Sequence, residues 1–131
     1  MKNPIAWAYE LPPSSRMKIA DPIEAAIELL RKMGHTIEST QIHEGVTTVR
    51  TGNSGKWIPV TVKLKLTPSE LLVLWEYSDV KRPGWFGRQV GPNWEDANRF
   101  VVGWTSRHQF KVRKISPEEW GETPAIRNPL A

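Results

Sequence analysis

The chain contains no cysteine among its 131 residues. Disulfides, thiolate nucleophiles, iron–sulfur clusters and cysteine-based zinc sites are therefore excluded. Long hydrophobic runs are missing as well; no aliphatic and aromatic stretch is longer than Leu71-Leu72-Val73-Leu74-Trp75. So short a run can neither cross a bilayer as a helix nor form the apolar region of a signal peptide. The expectation is a cytoplasmic protein with no membrane partner. Histidine is scarce, limited to His35, His43 and His108, and no pair has the His-x-x-x-His spacing. His35 and His43 sit on one predicted strand, roughly 26 Å apart at strand rise, too far to share an ion. No metal site is expected. No serine lies in a Gly-x-Ser-x-Gly elbow, and Gly52-Asn53-Ser54-Gly55-Lys56 lacks phosphate-loop spacing and reads as a turn. The acid pairs Glu95-Asp96 and Glu118-Glu119 fall in first turns of predicted helices, where negative charge complements the helix dipole. Neither a catalytic residue nor a cofactor motif stands out.

What is present is a globular composition: 39% hydrophobic, 24% charged, seven tryptophans and a formal net charge of +4. A chain of this length is one domain with enough buried surface for one core. Three segments share a capping residue, proline, any residue and glutamate: Asp21-Pro22-Ile23-Glu24, Thr67-Pro68-Ser69-Glu70 and Ser116-Pro117-Glu118-Glu119. Each is a predicted helix start, because the first side chain accepts from orphan amides and proline has no amide to leave unpaired. The first helix runs over 22–33, with Ile23, Ala26, Ile27 and Leu30 at helical spacing and Gly34 beyond its end. The second is expected from Pro68 to about Asp79, apolar nearly all round. The third has room for one turn.

Three strands are expected between the two longer helices, over 35–44, 46–51 and 57–66. In the last, Ile58, Val60, Val62, Leu64 and Leu66 alternate with Trp57, Thr61, Lys63 and Lys65, giving one buried face and one wet, basic face. Residues 81–93 read as a long loop, 94–98 as a short helix, and 100–105 with 110–115 as a hairpin. The expected architecture is α+β, in the order α-β-β-β-α, long loop, β-β hairpin and short C-terminal helical turn, with two helices packing a mostly antiparallel sheet. Residues 1–20 read as an extended N-terminal arm, 21–121 as the domain and 122–131 as a flexible tail.

Two nucleic-acid families share the order helix, three strands, helix, and the chain departs from both. Double-stranded-RNA-binding domains carry a lysine cluster at the start of the second helix, where this sequence reads Pro68-Ser69-Glu70-Leu71-Leu72. Restriction-endonuclease-like nucleases need an acid on the second strand and Asp/Glu-x-Lys on the third. Here the second strand is Val46-Thr47-Thr48-Val49-Arg50, and the third offers Thr61-Val62-Lys63. Element order alone does not carry function.

The charge distribution is more informative. Residues 1–80 balance to zero and residues 116–131 are acidic. Residues 81–115 hold Lys81, Arg82, Arg88, Arg99, Arg107, Lys111, Arg113 and Lys114 against only Glu95 and Asp96. The same segment carries Trp85, Phe86, Trp94, Phe100, Trp104 and Phe110. Cations for a phosphate backbone interleaved with π-faces for bases match the needs of nucleic-acid binding. The expected function is a non-catalytic nucleic-acid-binding domain using Lys81, Arg82, Trp85, Phe86, Arg88, Arg107, Lys111, Arg113 and Lys114. Arginine and tryptophan are also protein hot-spot residues. The alternative is thus a small accessory or inhibitory protein, of the kind phages or mobile elements encode, that modulates a larger nucleic-acid-processing protein through an acidic surface of that partner.

Overall fold

Alternation of apolar and polar residues builds most of this molecule, and the computed structural model shows where the alternation leads. It describes residues 4–11, 21–54, 57–77 and 94–126, apart from 109, with Trp94, Arg107 and His108 described by backbone only. The elements are β1 (Ile5–Glu10), α1 (Pro22–Lys32), β2 (Ile37–His43), β3 (Val46–Thr51), β4 (Val60–Leu66), β5 (Glu70–Tyr77), α2 (Trp94–His108), β6 (Val112–Ile115) and α3 (Pro117–Glu122). The strands form one sheet in the order β2-β3-β4-β5-β1-β6, antiparallel throughout. The class is α+β, as the composition of elements implies. No helix among the described residues is long and apolar enough to cross a membrane.

The main core lies between one face of the sheet and helices α1 and α2. Val60, Val62, Leu64 and Leu66 of β4 and Leu71, Val73, Trp75 and Tyr77 of β5 meet Ala26, Ile27 and Leu30 of α1 and Ala97, Phe100 and Trp104 of α2. The rings interlock: Phe100 packs edge-on against Tyr9 and Trp75, with centroids 5.3 and 5.5 Å away, and Tyr9 also meets Trp104 edge-on. A smaller cluster on the opposite face gathers Ala6, Ala8, Leu72, Leu74 and Ile115 beneath Trp120 of α3.

Two of the three cap motifs start helices. Asp21 Oδ1 accepts from the amides of Ile23 and Glu24 at 3.0 and 3.3 Å, and Ser116 Oγ accepts from Glu119 at 3.0 Å. The middle motif does not. Thr67 Oγ1 accepts from the Glu70 amide at 2.9 Å, but the Thr67 amide bonds back to the Glu70 carbonyl, which closes a turn from β4 into β5. The same side-chain-to-backbone bond serves a helix cap or a serine/threonine turn equally well. The residues after the motif decide between them. Residues 71–75, expected as a helix, are a strand buried on both faces, flanked by β4 and β1. An apolar run without alternation is what such an interior strand requires.

The expected hairpin is corrected in the same way. Phe100–Thr105 is helical, within α2, and the spacing of Ala97, Phe100 and Trp104 supplies its buried stripe. β6 pairs instead with β1, so residues 5–10 are a full member of the sheet rather than part of an arm. Ala6-Trp7-Ala8-Tyr9 alternates small residues toward α3 with rings toward the helices. At the other end the tail is docked as far as Ile126, whose amide donates to the Leu66 carbonyl at 2.9 Å. Lys65, expected on the wet face of its strand, is buried beneath this segment, and Trp57 is 3% exposed. β4 begins after Pro59 and lies inside the sheet, not at its edge.

The turn from β2 to β3 has Glu44 at φ 51° and Gly45 at φ 79°, a two-residue connection of type I′. Glycine suits its position, whereas glutamate in a left-handed conformation is strained. Glu44→Asn is expected to raise stability by about 0.5–1 kcal/mol, since asparagine tolerates this geometry best among side-chain-bearing residues. Thermal unfolding measures it, and an unchanged or lower Tm refutes the strain.

Candidate nucleic-acid interface

Of the cationic residues of the expected surface, the structure describes the side chains of Lys111, Arg113 and Lys114, and Arg113 and Lys114 do not share one face. Lys81, Arg82, Trp85, Phe86 and Arg88 lie outside the described residues. Arg107 belongs to the last turn of α2, with only its backbone described. Lys111 is exposed just before β6 and gives its carbonyl to the Glu10 amide at 2.8 Å. In β6, register places Lys114 opposite Trp7, on the helix-bearing face, and Arg113 opposite Ala8, on the α3 face. Lys114 and Arg113, both exposed, therefore project from opposite sides of one edge strand.

Arg113 is already engaged. Its Nε and Nη2 donate to the two carboxylate oxygens of Glu70 at 3.1 and 3.0 Å, and Nη2 lies 2.8 Å from Glu119 Oε2. Hydrogen bonding to Glu70, then to Glu119, holds the guanidinium proton more tightly than usual. Two carboxylates around one cation leave this spot without positive charge to offer a phosphate. The aromatics divide similarly. Phe100 and Trp104 are fully buried core residues, and Phe110 is half-buried. Arg99 sets its guanidinium 4.9 Å from the centroid of the Trp57 ring, a cation–π contact within the fold.

A second constellation, with no local signature in the sequence, lies under α2. His35 Nε2 and Asp96 Oδ1 share a hydrogen bond at 3.1 Å, with both side chains at 0% exposure. The Trp57 ring stacks on His35 at 5.3 Å, and its Nε1 donates to the Met33 carbonyl at 2.8 Å. The Tyr77 hydroxyl is pushed well above its ordinary pKa by burial first and by the charge of Asp96 second. Tyr9 moves the same way through burial and the neighbouring Tyr77. Among the described residues, His35 Nδ1, Asp96 Oδ2 and the Tyr9 hydroxyl have no hydrogen-bond partner. A histidine–carboxylate pair of this kind can transfer protons elsewhere. Here no solvent reaches it, so its role in this conformation is to tie the α1–β2 connection to the first turn of α2. Asp96, read from sequence as a dipole-complementing acid, gains a partner 61 residues away.

Among the described residues, no group of three histidine, aspartate or glutamate side chains is placed to hold a metal ion. Compared with protein-family models, curated proteins and solved structures, the chain matches none of them.

Proposed function

We propose that this protein is a non-catalytic nucleic-acid-binding domain that holds phosphates by charge. The observation that supports it is the exposure of Lys111 and Lys114 on the sheet's edge, within the segment that carries all of the chain's excess positive charge. Burial of Phe100 and Trp104 takes those rings out of any stacking platform, so backbone contacts carry the affinity.

Salt titration of binding tests the reading. Affinity for single- or double-stranded DNA or RNA is expected to fall steeply with salt, by about 0.7–0.9 in the logarithmic slope per phosphate contact. Lys111→Glu combined with Lys114→Glu should flatten that slope by about 1.4–1.8 while leaving Tm close to that of the unaltered protein. Absence of binding to all four nucleic acids at low salt refutes it. A single stoichiometric, nuclease-resistant protein captured through the same lysines would instead establish the accessory-protein alternative.

A further inference from the structure

The two edges of the sheet are built differently. β6 is four residues long and carries consecutive cations, Arg113 and Lys114, a usual defence against unwanted strand pairing. β2 is seven residues long and carries no lysine, arginine or proline. Its pairing with β3 is irregular only between Ile37 and Ser39, which leaves residues 39–43 as a regular edge with no further strand beside it among the described residues. Ile42 is 75% exposed there, one of two large hydrophobic side chains so placed among the described residues.

The turn fixes which groups this edge offers. In a two-residue I′ hairpin the flanking pair, His43 and Val46, exchanges both backbone hydrogen bonds. Alternation then turns His43, Gln41 and Ser39 toward β3 and leaves the amides and carbonyls of Thr40 and Ile42 aimed outward. The side chains of Thr40 and Ile42 lie on the helix-bearing face, as do those of their register partners Val49 and Thr47.

We propose that β2 is a self-pairing edge, through which two copies of this chain join antiparallel about a two-fold axis at Gln41. That axis sets Thr40 opposite Ile42 of the second copy and Ile42 opposite its Thr40. Both members of each pair are outward-bonding residues, so every free amide and carbonyl in the stretch finds a counterpart. The exposed Ile42 side chain gains a β-branched cross-strand neighbour in the same step. No other centre does this. An axis at Ile42 sets Thr40 against Glu44, a turn residue at φ 51°. An axis at Thr40 sets Ile42 against Glu38, where the register breaks.

Charge at the ends of the junction sets its salt response. Glu44 and the second copy's Glu38 fall across from each other, with no lysine or arginine between residues 37 and 44. Glu38 rests against Gly52, where an added Cβ would come within 2.5 Å of its carboxylate, and Glu44 lies 3.8 Å from its own His43. Salt screens the remaining repulsion. Self-association is therefore expected to strengthen with salt, opposite in sign to phosphate binding. A five-residue strand pair is a small interface, so the equilibrium is reversible and concentration-dependent.

Sedimentation equilibrium of the full chain over a concentration series, with amide exchange followed by NMR, tests this. The expected result is a monomer–dimer equilibrium in which the Thr40 and Ile42 amides gain protection with concentration, while Gln41 and His43 are protected throughout. Ile42→Lys, at a position that contributes little to the core, should give a monomer of unchanged Tm. A wild-type chain that stays monomeric across the series overturns the proposal. So does a dimer that survives Ile42→Lys or leaves Thr40 and Ile42 exchanging freely.

Discussion

Asp96→Ala is expected to cost about 3–5 kcal/mol of folding stability, the range for removing one partner of a buried pair. For a domain of this size that is a large share of a total of about 5–15 kcal/mol, and it should lower Tm by on the order of 10–20 °C. The reason is local. Asp96 and His35 are inaccessible to water, and the aspartate is the only described hydrogen-bond partner of the histidine ring. Its removal leaves a buried imidazole with neither nitrogen satisfied. Asp96→Asn keeps an oxygen in place and should cost less, about 1–2 kcal/mol. Replacing both partners by apolar residues of similar shape, as in His35→Phe with Asp96→Leu, should recover much of the loss. Denaturant titrations of the single and double variants form the cycle that isolates the coupling. A cost below about 1 kcal/mol for Asp96→Ala, on the scale of an exposed ion pair, refutes the clamp.

The pair also marks where sequence reading stops. Each residue has a plausible local role, Asp96 as a charge in a helix's first turn and His35 as a strand residue. Nothing within several residues of either points to the other. The information is in the topology: the α1–β2 connection comes to lie beneath the start of α2, and this follows only from knowing that both helices share one face.

The element types were legible where one period dominated. α1 shows helical spacing with a cap at each end, and the alternation in 57–66 marks β4 to within three residues. Errors arose where a local signal was ambiguous. Thr67-Pro68-Ser69-Glu70 satisfies a cap pattern, yet its side-chain bond is equally that of a turn, and Leu71–Trp75 has no period to arbitrate. Length would have arbitrated: the run is that of a strand, and a helix reading had to extend it into Glu76, Tyr77 and Ser78. In α2, Val101 and Val102 drew the reading toward strand, though Ala97, Phe100 and Trp104 already lay three and four apart. β1 is obscured in the sequence by the prolines at positions 4 and 12, which make residues 1–20 read as an arm.

The excess of positive charge in residues 81–115 is legible as composition and not as geometry. Lys111, Arg113 and Lys114 read as one cluster, but strand alternation sends Arg113 away from Lys114 and into the grip of Glu70 and Glu119. Glu70 is 43 residues away in sequence.

Trp120→Ala is expected to cost about 3–5 kcal/mol, comparable to the loss of the Asp96 carboxylate but on the opposite face. The indole is 8% exposed and packs in one cluster with Ala6, Ala8, Leu72, Leu74 and Ile115. It is held from below by a charge. Lys65 Nζ donates to the carbonyls of Trp120 and Thr123, the latter at 2.6 Å, and stands 4.3 Å from the Trp120 ring centroid. A cation at the carbonyl end of α3 complements both the helix dipole and the orphan acceptors there. Lys65→Met keeps the apolar stem and removes the donor, so it should cost about 1–3 kcal/mol through the carbonyls left bare. The lysine also gives the contact a pH signature. Burial lowers its pKa below the ordinary 10.5, so between the folded value and 10.5 the unfolded chain holds a proton that the folded chain has released. Stability contributed at this site therefore rises with pH through that window and is level on either side of it. The buried tyrosines titrate alike in both proteins, so the difference between wild type and Lys65→Met isolates the effect. The penalty of Lys65→Met should grow as pH approaches 10.5 from below. A penalty that is flat or shrinking over that interval means the ammonium is not desolvated, and that the C-terminal segment stands away from β4.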